Sequence, residues 1–259
     1  MTTPAEPARL LPPLSPNGWL RWEVVSRLLP PPDRSLRVLE VGCGQGGFGA
    51  RLAQRYDYVG VEPDETSSSL AVQRLAEAGG GGDVRRGDLS VLRPDETFDL
   101  VCAFEVIEHI EDDHDAMRSW AERVVPGGSV LLSTPAWQKR FGAADEMVGH
   151  FRRYDPPVLR DLLTGAGLVD VELVHFGAPL GYLLEAGRNA VGRRRLASAV
   201  FASGPSASKA ARSDASGRTL QPSTSWSATA ARLGTVPFRA VQRAFPNTGP
   251  GLVARARKP

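Results

Sequence analysis

The chain has 259 residues, 42% of them hydrophobic, and a net charge of +2, which fits one α/β domain carrying an insertion. No apolar run approaches the about 20 residues that a membrane-spanning helix needs, and the Pro-rich first thirty residues lack the order of a secretion signal. The cysteines, Cys43 and Cys102, are too far apart for a metal knuckle, so we expect a reduced, cytoplasmic protein without disulfides.

Strand-like and helix-like segments alternate along the chain. A first helix is predicted at 18–29, where Trp19, Trp22 and Val25 recur at helical spacing before three prolines. Strands follow at 37–42, 58–62, 83–88, 98–104, 129–135 and 168–176, and helices at 48–55, 67–79, 115–125 and 156–167. This alternation predicts a doubly wound, mainly parallel sheet. A weak period-2 pattern at 251–259 predicts a closing strand.

A glycine-rich segment follows the first predicted strand, where residues 36–49 read LRVLEVGCGQGGFG. Such a turn lets the backbone approach a ligand closely and aims a helix N-terminus at it. Glu62 follows Gly42 by twenty residues, at the end of the next strand, and can accept hydrogen bonds from ribose hydroxyls. The spacing Gly42-x-Gly44-x-x-Gly47 also fits the NAD fingerprint. The turn therefore predicts a nucleoside cofactor and leaves its kind open.

Four motifs in order extend this pattern: Glu40-x-Gly42-x-Gly44-x-Gly46, Glu62, Asp88, and the turn 125–128. With them the chain resembles the class I S-adenosylmethionine (SAM)-dependent methyltransferases over about residues 36–176, in particular the small-molecule O-methyltransferases of the ubiquinone pathway. The resemblance implies a Rossmann-like, seven-stranded sheet with an antiparallel last strand. It also implies SAM as cofactor, bound by Glu40, Gly42, Cys43, Gly44, Gly46, Glu62, Asp88, Leu89 and Phe104.

An NAD-dependent oxidoreductase is the less favoured alternative. The sequence has no Tyr-x-x-x-Lys pair of the short-chain dehydrogenases. A carboxylate at Glu40 suits the amino-acid tail of SAM, and it would repel a pyrophosphate beside the glycine turn.

An acidic cluster with a histidine follows the fourth predicted strand. If a helix begins there, Glu105, Glu108 and His109 share one face and can bind a divalent cation. Their spacing is similar to that of the ubiquinone-pathway O-methyltransferases and the small-RNA 2′-O-methyltransferases. In the latter, such residues and a downstream histidine hold Mg²⁺, which makes His150 the fourth candidate ligand here. The alternatives are a general base at His109 or His150 without metal, or acids that only stabilise a helix start.

The segment 145–154 follows the fifth predicted strand at the same edge of the sheet. In it, Arg152 and Arg153 could bind an anionic group of the substrate, and Tyr154 could donate a hydrogen bond, or the segment is only a lead into the next helix. The candidate catalytic residues are thus His109, His150 and Tyr154. Trp137 and Phe141 are candidate substrate walls or core residues, and His114 and His175 are expected to be surface or packing residues.

A basic insertion is predicted at 177–247, after a lead-in (1–35) and a core (36–176) and before the closing strand (248–259). Its net charge is +8, whereas residues 1–187 carry −10. Because it must leave and re-enter the fold beside the cofactor pocket, we predict a lid or substrate-recognition layer, mobile near 203–225. Its arginines suit an anionic small molecule, a membrane surface or RNA, or they pair with the acidic core.

These patterns predict methylation of a small molecule, most directly at a hydroxyl of a natural product, a quinone-type phenol or a saccharide. A hydroxyl must lose its proton or bind a metal before it accepts a methyl group, and the acidic cluster could serve either need. RNA 2′-O-methylation, N- or C-methylation of a small molecule, and an inactive SAM-binding scaffold are the alternatives.

Overall fold

Seven strands form one mixed sheet in the computed structural model, which describes residues 11–202 and 225–259. The strand order is β3-β2-β1-β4-β5-β7-β6, and β7 runs antiparallel to both of its neighbours. The strands are β1 (Arg37–Val41), β2 (Asp57–Glu62), β3 (Asp83–Arg86), β4 (Phe98–Phe104), β5 (Val124–Pro135), β6 (Val169–Phe176) and β7 (Gly251–Arg257). The predicted fold and the weakly patterned closing strand are both confirmed.

Helices cover both faces of the sheet. They are α1 (Pro16–Leu28), α2 (Gly49–Leu52), α3 (Glu65–Ala78), α4 (Asp113–Glu122), α5 (Ala143–Val148), α6 (Pro156–Gly165), α7 (Leu180–Ala202), α8 (Ser225–Gly234) and α9 (Val236–Ala244). The first begins where the side chain of Ser15 accepts a hydrogen bond from the Gly18 N–H at 3.1 Å, a typical N-cap. None of the described helices is long and apolar enough to cross a bilayer.

The core is divided into two clusters by the sheet, because successive strand side chains point to opposite faces. In β1, Val38 packs into one cluster with Leu20 of α1, and its neighbour Leu39 packs into the other with Trp120 of α4. The central strand β4 is buried over nearly its whole length, as expected for a strand covered on both faces. Both cysteines lie in this interior as free thiols.

The insertion contributes α7, α8 and α9, and it packs back on the core. In α9, Gln242 donates a hydrogen bond to the Leu20 carbonyl oxygen at 2.8 Å, and Arg243 forms an ion pair with Glu23 at 2.5 Å. At least one insertion arginine therefore pairs with the acidic core. The segment predicted to be mobile lies outside the described residues, and a lid function stays a prediction.

The helix predicted to begin at Glu105 is absent from the described structure. Glu105 has a φ of 59°, and its amide continues the sheet by donating to the Ser133 carbonyl oxygen at 2.9 Å. A single 3₁₀ turn covers 107–109, and α4 begins only after Asp112, whose side chain accepts the Asp115 N–H at 2.9 Å. The better N-cap lies downstream of the acidic cluster, so Glu105 and Glu108 do not share a helix face.

Candidate functional site

The glycine turn after β1 lies at the carboxyl edge of the sheet, beside the point where the strand order reverses between β1 and β4. Gly44 and Gly46 have φ values of 54° and 74°, in the left-handed region. A Cβ on Gly46 would lie 3.0 Å from the Ala71 Cα, so this glycine lets the turn pack on α3. A Cβ on Gly44 would meet nothing within 4 Å. The turn therefore presents bare backbone to an open space.

Glu62 at the end of β2 lies directly beside that open space. One of its oxygens accepts the Gly44 N–H at 2.8 Å, and the other accepts the Asp64 N–H at 3.0 Å. These two hydrogen bonds fix the orientation of the Glu62 carboxylate. Asp88, one strand further along, is exposed, and hydrogen bonds from Ser90 lower its pKa. The Asp88 carboxylate, just beyond the end of β3, is therefore ionised at neutral pH.

Glu40 lies below the turn and is buried. Its Oε2 accepts the Tyr58 hydroxyl at 2.7 Å, and burial raises the pKa of Glu40 to about 8. The charge of Arg21, on α1, acts in the opposite direction. Sequence patterns did not single out Arg21, because its position beside Glu40 depends on how α1 packs. Glu40 and Arg21 thus place a carboxyl group and a guanidinium group near one end of the turn.

The remaining predicted cofactor residues surround the turn. Cys43 is buried, with its Sγ 3.9 Å from the Gly44 carbonyl oxygen. Phe104, at the end of β4, is also buried and packs edge-on against Phe48 with ring centroids 4.9 Å apart. Leu89 is half-buried beside Asp88.

Replacing Glu40 by Gln should remove a pH-dependent loss of stability. The wild-type carboxyl binds its proton more tightly in the folded state than in the unfolded state, so folding loses stability as pH rises from about 4.5 to about 8. The stability of E40Q relative to wild type should therefore increase across that range and level off above it. Urea unfolding at pH 5, 6.5 and 8 measures this difference, and a constant difference would contradict the assignment.

Three side chains converge after β4 and β5. Glu108, His109 and His150 each place one ligand atom within 4.8 Å of the others, and the two imidazole rings meet edge-on at 4.5 Å. Glu108 is fully buried, and its Oε2 accepts the Thr134 hydroxyl at 3.3 Å. Among the described residues, nothing hydrogen-bonds the buried Oε1 of Glu108 or the Nδ1 of His109. This cluster therefore keeps unused polar atoms in its interior.

Burial disfavours charge on two members of the cluster. It raises the pKa of Glu108 well above its usual value, and it lowers the pKa of His109 to about 3, with a further contribution from His150. His109 is thus neutral at pH 7. An imidazole with so low a pKa accepts a proton only weakly at pH 7 and is a poor general base.

His150 is oriented by Asp145, a residue to which the sequence assigned no role. The His150 Nδ1 lies 2.9 Å from Asp145 Oδ1. Burial alone would raise the pKa of Asp145, but hydrogen bonds from His150 and Arg153 lower it to about 2. An ionised carboxylate only accepts hydrogen bonds, so Nδ1 is the donor in this contact. The other ring nitrogen, Nε2, lies 4.0 Å from Glu108 Oε1.

The predicted Mg²⁺ site does not form as expected. Glu105 lies outside the cluster: its Oε1 accepts the Ser133 hydroxyl at 3.2 Å, and its Oε2 lies 3.7 Å from Arg21. The donors that do converge are two imidazoles and one carboxylate. Mg²⁺ prefers oxygen ligands, whereas this set suits a borderline transition metal. The residues present do not fit Mg²⁺.

The structure also corrects the roles predicted for Tyr154 and the arginine pair. Tyr154 is 1% exposed and donates its hydroxyl to Asp113 at 2.7 Å, so it faces the core. Arg152 forms an ion pair with Asp113 at 2.6 Å. Arg153 is buried between Asp145 and Glu185, with ion-pair distances of 2.8 and 2.9 Å. The Tyr154 hydroxyl and both guanidinium groups are thus engaged by carboxylates of the protein itself.

The side chains predicted to be substrate walls, surface residues or packing residues have different environments. Trp137 stacks on the buried His175 with centroids 5.0 Å apart, and it lines a cavity of about 270 Å³ together with Arg140 and Tyr182. Phe141 is half-buried, and His114 is exposed.

Comparisons with known proteins agree with this geometry. Residues 19–173 match the family model described as "Methyltransferase domain". A ubiquinone biosynthesis O-methyltransferase of Azorhizobium caulinodans is 38% identical over 105 residues, covering 40% of this chain and 42% of that protein. A probable SAM-dependent methyltransferase of Mycobacterium tuberculosis is 32% identical over 163 residues, covering 61% and 58%. The matches thus span about two fifths to three fifths of these relatives.

Solved structures show the same fold at low sequence identity. A SAM-dependent methyltransferase from Mesorhizobium loti superposes with a TM-score of 0.59 at 17% identity, covering 94% of this chain and all of that one. Phosphoethanolamine N-methyltransferase 2 of Haemonchus contortus, solved with S-adenosylhomocysteine (SAH), also gives 0.59 at 17% identity, covering 97% of this chain and 54% of that one. The family match favours a methyltransferase over an oxidoreductase. The chain belongs to the methyltransferase-domain family and has its Rossmann-like fold.

Proposed function

We propose that this protein transfers a methyl group from SAM to a hydroxyl group of a small molecule, with His150 as the general base. The single observation that carries the choice of a hydroxyl is the Asp145–His150 pair at 2.9 Å, at the edge of the sheet that also holds the glycine turn. An amine can accept a methyl group unassisted, whereas a hydroxyl needs its proton removed.

The residues around the glycine turn fit the cofactor. Glu62 would accept the ribose hydroxyls, and Asp88 would face the adenine. The methionyl tail of SAM is zwitterionic, so its ammonium group would pair with Glu40 and its carboxylate with Arg21. Bound SAM would supply an electrophilic methyl group. The empty space above Gly44 gives the ligand room to approach the backbone.

His150 would act by taking the hydroxyl proton on Nε2. The imidazolium that forms would be stabilised by the ionised Asp145, which also fixes the ring orientation. Alignment of the acceptor with the methyl group supplies most of the rate, up to about 7–11 kcal/mol. Glu108 and His109 would contact the acceptor through the polar atoms that lack partners.

The names of the relatives support the choice of acceptor atom at modest identity. Ubiquinone biosynthesis O-methyltransferases recur among the matched proteins, at 33–38% identity. The match covers only 42% and 58% of the two curated relatives described above. The identity of the acceptor is therefore part of the proposal.

A labelled-methyl transfer assay tests the proposal. The purified chain is incubated with SAM and, separately, with catechol, 3,4-dihydroxybenzoate, a methyl glycoside, benzylamine and a short RNA, each with and without EDTA. We expect transfer to a small-molecule hydroxyl that persists in EDTA. Transfer to benzylamine alone, to RNA alone or to none of the five would contradict the proposal. Loss in EDTA would assign Glu108, His109 and His150 to a metal instead.

Replacing Glu62 by Ala should weaken SAH binding about 10- to 100-fold, because a charged hydrogen bond contributes about 1.5–3 kcal/mol. Calorimetry measures the dissociation constant. Glu65→Ala is the matched control, because Glu65 is exposed at the start of α3 and pairs with Arg86 on the surface. Equal effects of the two substitutions would show that Glu62 has no specific contact with the cofactor.

A further inference from the structure

Helix α7 of the insertion is fixed against α5, the helix that carries Asp145. Glu185 accepts hydrogen bonds from Arg140 at 3.1 Å and Arg153 at 2.9 Å. One turn later, the Asn189 side chain accepts the Ala144 N–H at 2.9 Å. These contacts hold the segment 185–189 of α7 against α5 and Arg153.

Between these two contacts lies Arg188, a half-buried residue of α7. Its Nε is shielded from solvent and has no hydrogen-bond partner among the described residues. Glu105 and Glu185 attract it electrostatically, but both are occupied: Glu185 by two arginines, and Glu105 by Ser133 and Arg21. The Arg188 guanidinium is thus held at the site without a carboxylate of its own.

The carboxylates around Arg188 are already paired with other arginines. Glu185 pairs with Arg140 and Arg153, Asp145 pairs with Arg153, and Glu105 lies 3.7 Å from Arg21, so none of them is left to pair with Arg188. A partly desolvated charge without a partner is unfavourable, so a bound anion at this place would be stabilising. The guanidinium fork matches the two oxygens of a carboxylate or phosphate group.

The position of Arg188 connects it with the acceptor. Glu105 directly follows β4, and its neighbour Val106 packs against Gly42 of the glycine turn. Arg153 links Arg188's surroundings to Asp145 and so to His150. The neighbours of Arg188 thus include Glu105, next to the residue that packs on the glycine turn, and Arg153, which pairs with the partner of the proposed base.

We propose that Arg188 binds an anionic oxygen group, a carboxylate or a phosphate ester, of the methyl acceptor. This inference rests on the proposed function and deepens it, since it makes the acceptor an anion. It also gives the insertion a defined role, because α7 supplies the residue that recognises the acceptor, and Glu185 and Asn189 hold that helix in position.

Calorimetry on the SAH-saturated protein tests the proposal with three simple probes: benzoate, phenyl phosphate and the neutral benzyl alcohol. Wild type should bind one of the anions at least about tenfold more tightly than benzyl alcohol, as one charged hydrogen-bonding group allows. Arg188→Gln should abolish that preference. Arg193→Gln, an exposed arginine of the same helix, should preserve it. Benzoate and phenyl phosphate together distinguish a carboxylate site from a phosphate site.

Three results would overturn the assignment. These are no preference of the wild type for either anion, an equal loss in R188Q and R193Q, or a loss of SAH affinity in R188Q that makes Arg188 a cofactor residue. An unchanged far-UV circular dichroism spectrum and melting temperature show that R188Q folds. If the anions bind as expected but no hydroxyl is methylated, the proposed function fails while the anion site stands.

Discussion

Replacing His150 by Asn should lower kcat for a hydroxyl acceptor by about 10²- to 10⁴-fold, the usual contribution of a general base. Asn is neutral and cannot take a proton, yet its amide can still donate to Asp145. Binding of SAH should stay within about twofold of wild type, because the proposed cofactor residues lie elsewhere. The glycine turn follows β1 and Glu62 ends β2, whereas His150 follows α5. The rate with saturating acceptor and the SAH dissociation constant are the two measurements.

Two further variants make the result specific. Asp145→Asn should also lower kcat strongly, because an amide in place of the carboxylate no longer fixes the Nδ1 proton or stabilises the imidazolium. His114→Asn, at an exposed histidine, should leave the rate unchanged. An H150N protein that keeps more than about a third of the wild-type rate would refute the role of His150 as base.

Replacing Arg153 by Met should destabilise the fold by about 3–5 kcal/mol, the cost of removing one partner from a buried ion pair. Arg153 donates to both Asp145 oxygens from Nε at 3.0 Å, to Asp145 Oδ2 from Nη2 at 2.8 Å, and to Glu185 from Nη1 at 2.9 Å. All three side chains are at most 5% exposed. Without the guanidinium, the buried carboxylates of Asp145 and Glu185 are left near each other. Urea unfolding at pH 7 measures the loss.

The neighbouring arginine provides the control. Arg152 pairs with Asp113 through a side chain that is 30% exposed, so Arg152→Met should cost no more than about 1 kcal/mol.

The pH dependence of the R153M effect has a definite sign. The depressed pKa of Asp145 means that its contribution is present above about pH 4 and is lost as the pH falls towards 2. The gap between wild type and R153M should therefore narrow below pH 4, and equal losses in both variants would contradict the assignment.

The cofactor half of the site could be predicted from the sequence because it is built from local pattern. A strand that runs into a glycine turn, and an acid at the end of each of the next two strands, meet at one edge whenever the sheet is parallel. Glu62 and Asp88 were predicted by this rule; Glu62 accepts the Gly44 N–H, and Asp88 follows the neighbouring strand β3 by two residues. Their role as ligands of SAM stays a prediction.

The half of the candidate site around Glu108 and His150 depended on contacts that no local pattern encodes. Glu105 and Glu108 are three residues apart, but the chain turns between them at a positive φ, and one faces Arg21 while the other faces Thr134. Arg152 and Arg153 are adjacent and chemically alike, yet only one is buried between carboxylates. Which neighbour points inward is decided by the packing of α5 and α7.

The sequence by itself determined the succession of strands along the chain, the glycine turn and the family, because these follow from alternation, spacing and short motifs. Only the tertiary structure decided that Asp145 orients His150, that Tyr154 belongs to the core, and that Arg21 of α1 and Arg188 of α7 both approach Glu105. Each of these depends on side chains far apart in sequence meeting in an interior of low polarity, where the free energy of a charge is set by its partners.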